Sequence, residues 1–247
     1  VRNMLGGKHL DPALEEKIVA KTGGNPFFVE EMIRELQDRG DIFRDGDRYE
    51  VRGSIDELAI PSTVQGVLAA RMDRLTEDLK ETMQVASVIG RDFAFRILKR
   101  IMALERELGE HLAKLVGFEI LYEKALYPEL EYIFTHALTQ EVAYESLLIQ
   151  RRKLFHEKIA ITIENLYEQK LEEYYEVLSY HYEKSGNSDK TLHYSVLAGE
   201  KSILNGANQL AYEFFHKALT ITQEESLEVD PEIKFKIHFN LGMASYN

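Results

Sequence analysis

Residues 22–31 read Thr-Gly-Gly-Asn-Pro-Phe-Phe-Val-Glu-Glu. Asn25 followed by Pro26 is the pattern of a helix start, because an asparagine side chain accepts hydrogen bonds from free N–H groups and proline is favoured at the first helical position. The apolar residues that follow recur at the spacing of one helix face; they are Phe28, Val29, Met32, Ile33 and Leu36. With Gly40 as its end, the stretch predicts an amphipathic helix that follows a glycine-rich turn.

The composition limits the class of protein. A chain of 247 residues with 45% hydrophobic and 29% charged residues is typical of one large or two ordinary globular domains. No apolar run approaches the roughly 18 residues of a membrane span, and no signal-peptide pattern opens the chain. The absence of cysteine excludes disulfides and thiolate metal sites. We therefore expect a cytoplasmic protein without a membrane partner, and both ends suggest a part of a longer polypeptide.

The helix that precedes the opening stretch has equally clear ends. Asp11 is its predicted cap, Pro12 its first residue and Gly23 its stop, and its apolar face holds Leu14, Ile18 and Val19. After the second helix, residues 42–51 have β character around an Asp-Gly turn, which predicts a small hairpin.

The middle of the chain predicts a winged helix. Ser62 and Gln65 form a candidate capping box, and Thr76 caps a helix that runs to Gly90. Two further helices are predicted at 93–102 and 105–116. Residues 118–122 and 130–134 then predict a two-stranded wing around Pro128.

From Ala137 onward only helices are predicted. The first is a long helix over 151–169 with Leu154, Ile159, Ile163 and Leu166 inward, and others follow near 171–185, 188–204, 208–223 and 231–246. Gly199, Ala211, Phe215 and Ala218 have the spacing of the small and aromatic positions of a tetratricopeptide repeat, whose period is about 34 residues. The fold class predicted for the whole chain is therefore mainly α, ending in a helical-repeat solenoid.

Five strings together carry a resemblance to a known family: GGNPFFVEEMIREL, IPSTVQGVLAARMDRL, ASVIGRDF, FTHALTQEVAYESLL and RRKLFHEKIA. They resemble the signal-transduction ATPases with numerous domains (STAND ATPases), in particular the bacterial subgroup that joins a predicted ATPase to tetratricopeptide repeats. Members often follow an adenylate or guanylate cyclase, a protein kinase or a transcriptional output domain. The resemblance covers roughly residues 8–225.

The resemblance implies a domain order. Residues 1–60 would be the end of the ATPase module with its helical lid and small hairpin, residues 61–135 the winged helix, and residues 136–247 the connecting helices and the first repeats. The sequence contains no G-x-x-x-x-G-K-[ST] loop. We therefore expect no enzymatic activity in this chain. We also expect it to bind ATP or ADP only together with an upstream P-loop core of the same polypeptide.

The resemblance also implies two groups of nucleotide-binding residues. The family's Gly-x-Pro motif packs its proline against adenine, and it corresponds to Gly24, Asn25 and Pro26. The alternative is a plain helix cap followed by proline, which is common. A family histidine at the end of the winged helix reaches the β-phosphate of ADP, and it corresponds to His136. Ala137 stands where many relatives have an acidic residue, and the alternative for His136 is a partly buried histidine that caps a helix start.

The sequence argues against several other kinds of site. The net charge of −12 argues against nucleic-acid binding, as does the acidic balance of the candidate recognition helix over 105–115. The eight histidines lack a zinc-binding spacing, and His181, His193 and His216 are expected to fill grooves between helices. No catalytic or metal-binding residues are assigned.

The function expected is regulatory: the chain would couple the ATP or ADP state upstream to a protein partner on the repeats. The alternative is a helical-repeat scaffold that binds a partner without any nucleotide. A transcription-factor arm is a third and weaker alternative, because of the charge.

Overall fold

The computed structural model describes residues 9–45, 48–55, 58, 61–103, 107–126, 129–224 and 229–245. The fold is mainly α, as predicted. The helices are α1 (Pro12–Thr22), α2 (Pro26–Asp38), α3 (Val64–Asp73), α4 (Glu77–Ile89), α5 (Phe95–Met102), α6 (Glu107–Gly117), α7 (Ala137–Glu145), α8 (Ile149–Leu166), α9 (Tyr175–Ser185), α10 (Ser188–Leu204), α11 (Asn208–Glu224) and α12 (Pro231–Ser245). The strands are β1 (His9–Leu10), β2 (Ile42–Asp45), β3 (Arg48–Val51), β4 (Asp92–Ala94), β5 (Leu121–Ala125) and β6 (Glu131–Phe134).

The first two helices begin and end as their sequence predicts. The Asp11 carboxylate accepts hydrogen bonds from the N–H groups of Ala13 and Leu14, at 2.8 and 3.3 Å. Gly23 has a φ of 58°, so it ends α1 in the left-handed conformation that favours glycine. Val19 is an exception, because it is exposed instead of lying on the buried face.

The N-terminal elements share an apolar core. β2 and β3 form the predicted antiparallel hairpin, and β1 adds a short parallel strand to β3. The hairpin's Gly46 lies outside the described residues. We call the buried cluster of this region the N-terminal core: Leu10, Leu14, Ile18, Phe28, Val29, Met32, Ile33, Leu36, Ile42 and Val67.

The start of α3 differs from the prediction. Its cap is Thr63, whose hydroxyl accepts a hydrogen bond from the Gly66 N–H at 3.1 Å. The predicted box of Ser62 and Gln65 is therefore wrong by one residue. Threonine and serine are comparable caps, and only the extended backbone of Thr63 decides between them.

Residues 77–134 have the helix and strand order of a winged helix. α4, β4, α5, α6, β5 and β6 follow one another, and the sheet order is β4-β6-β5 with antiparallel pairing. The sequence predicts the two strands of the wing but assigns residues 93 and 94 to a helix. β4 is only three residues long, too short for an alternation of side chains to identify it. The turn predicted around Pro128 lies outside the described residues.

The elements from α4 to β6 and the helices that follow them share one apolar cluster, which we call the central core. Its buried members form a single contact cluster, from Met72 to Tyr194 in chain order, and include Leu98, Phe134 and Ile159. In α8, Phe155 is buried and Leu154 is about half exposed, contrary to the prediction. α8 also ends at Leu166, and a 3-10 helix over Glu168–Tyr174 leads to α9.

The last helices pack successively along the chain, α9 on α10, α10 on α11 and α11 on α12. Phe215, Ala211 and Ala218 are fully buried between α10 and α11. The bounds of α9 to α12 agree with the sequence to within a few residues, whereas the assignment to tetratricopeptide repeats stays a prediction. None of the described helices has the length and apolar character required to cross a membrane.

Candidate functional site

The turn of Gly24, Asn25 and Pro26 is exposed at the start of α2. Asn25 caps the helix, because its side-chain oxygen accepts a hydrogen bond from the Phe28 N–H at 3.3 Å, and Pro26 is the first helical residue. The cap that the sequence predicts is thus present. Because the positive end of α2 opens to solvent here, the turn is also a suitable place for an anionic or polar ligand.

His136 lies at the junction of β6 and α7, as the sequence predicts. Phe134 at the end of β6 is fully buried, which fixes the strand that precedes the histidine. The His136 carbonyl accepts the Thr139 N–H at 3.0 Å, so its backbone begins α7. Its side chain makes no capping hydrogen bond, and no described residue donates to or accepts from its ring. His136 is thus the partly buried N-cap residue of α7, as the alternative has it, but its ring supplies no capping hydrogen bond.

The structure brings these two distant segments together through Phe27. The Phe27 and His136 ring centroids lie 4.1 Å apart with an angle of 41° between the ring planes. Phe27 directly follows Pro26, so the imidazole of His136 lies beside the turn at the start of α2. All four predicted residues therefore belong to one region of the surface.

This region combines an exposed proline with a partly buried imidazole ring. Pro26 offers an exposed apolar face, and the partly buried His136 offers an imidazole whose ring makes no capping hydrogen bond. In the described part of the chain, no cluster of three or more histidine, aspartate or glutamate side chains could hold a metal ion. The predicted absence of a catalytic residue at the site remains a prediction.

Two buried ion pairs lie on the same face of α2, and sequence reasoning missed them. Glu31 and Glu35 are only 3% and 2% exposed. Arg71 on α3 pairs with Glu31. Arg74, directly after α3, forms a bidentate ion pair with Glu35, in which Nη1 lies 2.6 Å from Oε1. The hydrogen bonds to Glu35 raise the pKa of Arg74 above its ordinary value.

A sequence signal for these pairs exists in retrospect. Glu31 and Glu35 are four residues apart and Arg71 and Arg74 are three apart, so each pair occupies one helix face. The pattern indicates two charged faces. It does not indicate that they meet, because that depends on how α2 packs on α3.

A second polar cluster lies inside the central core. His156 and His181 are fully buried, and their Nδ1 atoms lie 2.9 Å apart. The His156 Nε2 is 3.1 Å from the Tyr144 hydroxyl. Burial lowers the pKa of His156 to about 4 and that of His181 to about 3. His181 thus fills a groove between helices as predicted, whereas His193 and His216 are exposed.

Comparison with known proteins adds one match. A family model described as a domain of unknown function (DUF8739) matches residues 1–46. This segment contains α1, the Gly24–Pro26 turn and α2. No curated protein matches the chain. The match marks the N-terminal segment as a recurring unit and carries no functional description.

Proposed function

We propose that this chain is the regulatory, non-catalytic part of a nucleotide-switch signalling ATPase. It couples the ATP or ADP state of an upstream P-loop core to a protein partner. In this proposal residues 1–60 are the end of the ATPase module with its lid, residues 61–135 the winged helix, and the remainder the start of a tetratricopeptide-like arm.

The observation that supports the proposal is the contact between Phe27 and His136. It places the imidazole beside the turn of Gly24, Asn25 and Pro26, although the two segments are far apart in the sequence. A base on Pro26 and a phosphate near His136 would hold α2 and the winged helix to one nucleotide. A ligand shifts an equilibrium only by its difference in affinity for the two states, so these contacts must differ between ADP and ATP.

The decisive experiment uses the longer polypeptide that carries the P-loop core. The protein is purified and denatured, and the released nucleotide is chromatographed. We expect close to one ADP per chain in the unsubstituted protein. In His136→Ala we expect that ADP to be lost or exchanged, because the substitution should favour the active state. His216→Ala is the matched control, because His216 is exposed on α11 away from the site. Unchanged ADP and unchanged output in His136→Ala would refute the role of the histidine.

A second candidate is a scaffold that binds a partner without nucleotide. A cavity of about 480 Å³ lies between α10 and α12, lined by apolar side chains that include Leu192, Val196 and Ile233. Asp189 and Asp230 also line it. Extended grooves of this kind bind partner helices or peptides. The same chromatography separates the candidates, because a scaffold would release no nucleotide from either the unsubstituted protein or His136→Ala.

A further inference from the structure

A cavity of about 440 Å³ lies where α4, α6 and α8 meet the end of α5. Its apolar lining comes from α4, α5 and α8: Val85, Ile101, Met102, Leu154 and Phe155. Val85 and Phe155 are buried members of the central core, whereas Leu154 is about half exposed, so the lining reaches from the core to the solvent. The volume is that of a small-molecule site, roughly 300–1,000 Å³. Neither Phe27 nor His136 lines this cavity, so it is separate from the site described above.

One wall of the cavity carries a histidine whose tautomer is fixed by its neighbour. His111 on α6 lines the cavity, and its Nδ1 lies 3.0 Å from the hydroxyl oxygen of the fully buried Thr82. Thr82 has one hydroxyl proton, which it donates to the Asp78 carbonyl at 2.8 Å. Nδ1 of His111 must therefore carry a proton and donate it to Thr82. In the neutral ring Nε2 is then an acceptor, and no described residue is hydrogen-bonded to it.

Two carboxylates lie at the same end of the cavity as His111. Asp78 precedes Thr82 by about one turn of α4, and it lines the cavity. Glu107 precedes His111 by about one turn of α6 and lines the cavity as well. Because Thr82 contacts His111, both carboxylates are brought to one end, and no described residue forms an ion pair with either. We call Asp78, Glu107 and His111 the acceptor end, since they present two carboxylates and one bare imidazole nitrogen.

The two cations that line the cavity lie on α8 and are already engaged. Arg151 pairs with Glu81 at 3.0 Å, and its guanidinium carbon lies 5.6 Å from the centre of the Phe155 ring. The Lys158 ammonium lies 5.9 Å from the centre of the same ring, whose face attracts positive charge. The lining holds three carboxylates against these two cations, so it carries a net negative charge. A cationic ligand is therefore favoured over an anionic one.

We propose that this cavity binds a primary amine with an apolar body. The ammonium group lies at the acceptor end, and the apolar body covers the half-buried Met102 and the exposed part of Leu154. An ammonium has three donors and no acceptor, so it matches an end that presents acceptors alone. A free aryl amine and the N-terminus of a peptide with an apolar first side chain share this chemistry. The inference goes beyond the proposed function and does not depend on it, because no nucleotide contact enters it.

The test follows the Met102 methyl group of this chain by NMR. The six methionine methyl groups give few signals, and Met102→Leu identifies the one in the cavity. Added phenethylamine should move the Met102 signal in a saturable way, whereas the signal of Met32, fully buried in the N-terminal core, should not respond. Phenethyl alcohol has nearly the same shape without the charge and should bind about tenfold more weakly. No saturable movement at about 10 mM amine, or equal binding of the alcohol, would overturn the proposal.

A matched pair of variants separates the site from general attraction by an acidic protein. Glu107→Gln removes one charge from the acceptor end and should weaken phenethylamine binding roughly threefold. Glu110→Gln is the control, because Glu110 is also exposed on α6 but does not line the cavity. Equal weakening in both variants would overturn the site.

The dipeptide phenylalanyl-alanine amide distinguishes the two sources of the amine. Binding tighter than that of phenethylamine assigns the site to a peptide N-terminus, and weaker binding assigns it to a free amine. Either result supports the site, provided that the Met102 signal responds and Glu107→Gln weakens the response. A dipeptide and an amine that both leave the Met102 signal unmoved would overturn it.

Discussion

Gly199 lies against the ring of Phe215 with no room for a side chain of its own. A Cβ on Gly199 would lie 2.8 Å from two carbon atoms of that ring, well inside the roughly 3.5–4.0 Å of a favourable contact. Phe215 is fully buried, with Ala211 and Ala218 beside it, so the ring has no free space to move into. The close approach of α10 to α11 therefore depends on this glycine.

Gly199→Ala should lower the free energy of unfolding by about 1–3 kcal/mol, because the added methyl group overpacks a full core. Urea unfolding followed by circular dichroism measures the change. Adding Phe215→Leu should restore part of the loss in Gly199→Ala, although the same substitution destabilises the natural sequence. Absence of any rescue would show that the two residues do not share the effect.

Gly109→Ala is the matched control for this prediction. Gly109 lies within α6, and a Cβ added there would meet nothing within 4 Å. The substitution should therefore stabilise the protein by about 0.5–1 kcal/mol, since alanine is the better helix former. If both substitutions stabilised equally, the close contact at Gly199 would be wrong.

Asn25 offers a test of the helix cap within the candidate site. Its side chain caps α2, whereas Thr76 at the start of α4 makes no capping hydrogen bond. Asn25→Ala should therefore cost about 1 kcal/mol of unfolding free energy, Asn25→Ser much less, and Thr76→Ala less than Asn25→Ala. Thermal unfolding of the three variants measures this order. Equal effects of Asn25→Ala and Thr76→Ala would contradict the cap.

The sequence predicted best what is decided within one turn of the chain. Asp11, Gly23 and Asn25 act through their own backbone and the next three residues, so their roles at helix ends follow from local chemistry. The buried face of α2 follows from spacing alone. The mainly α fold class is confirmed. It could be predicted because most of the helices have caps, stops and apolar spacing that are visible in their own residues.

Features decided by contacts between distant segments were missed. β4 exists because three residues pair with β6, and nothing in residues 92–94 alone shows this. In α8 the sequence placed Leu154 inward, but the neighbouring helices cover Phe155 instead. A periodic pattern shows that a helix has an apolar face, and the packing decides which of two adjacent apolar residues occupies it.

The candidate site divides in the same way. Gly24, Asn25, Pro26 and His136 were named from the sequence through a family resemblance, and the structure places them in one region. Phe27 was not named, because its contact with His136 depends on how α2 lies relative to the junction of β6 and α7. The ion pairs of Glu31 and Glu35 were missed for the same reason.

The buried histidine pair makes stability depend on pH. Nδ1 of one ring must donate to Nδ1 of the other, which neutral tautomers of His156 and His181 allow. Burial is the main cause that opposes protonation of His156, and the positive charges of Lys184 and Arg152 oppose it further. The Tyr144 hydroxyl is hydrogen-bonded to the His156 ring, and the Tyr180 ring contacts both histidines. In the unfolded chain the two histidines bind protons near pH 6.5, whereas in the folded chain they do so only near pH 4 and below.

The free energy of unfolding should therefore be highest above pH 6.5 and fall as the pH is lowered towards 4, because the unfolded state binds more protons than the folded state in that range. Each histidine contributes at most about 1.4 kcal/mol per pH unit. Urea unfolding at pH 7.5, 6 and 5 measures the slope. His181→Asn should flatten it, and the exposed His216→Gln should leave it unchanged. An equal slope in His181→Asn and the natural sequence would refute the assignment.

Phe27→Leu separates the ring contact with His136 from simple packing. The substitution keeps an apolar side chain at a partly buried position, so the free energy of unfolding should fall by less than about 1.5 kcal/mol. In the longer polypeptide it should lower ADP retention in the same direction as His136→Ala, because the imidazole loses the aromatic face beside it. Chromatography of released nucleotide measures this, with Phe43→Leu on exposed β2 as the control. Full ADP retention in Phe27→Leu, together with loss in His136→Ala, would leave Phe27 only a packing role.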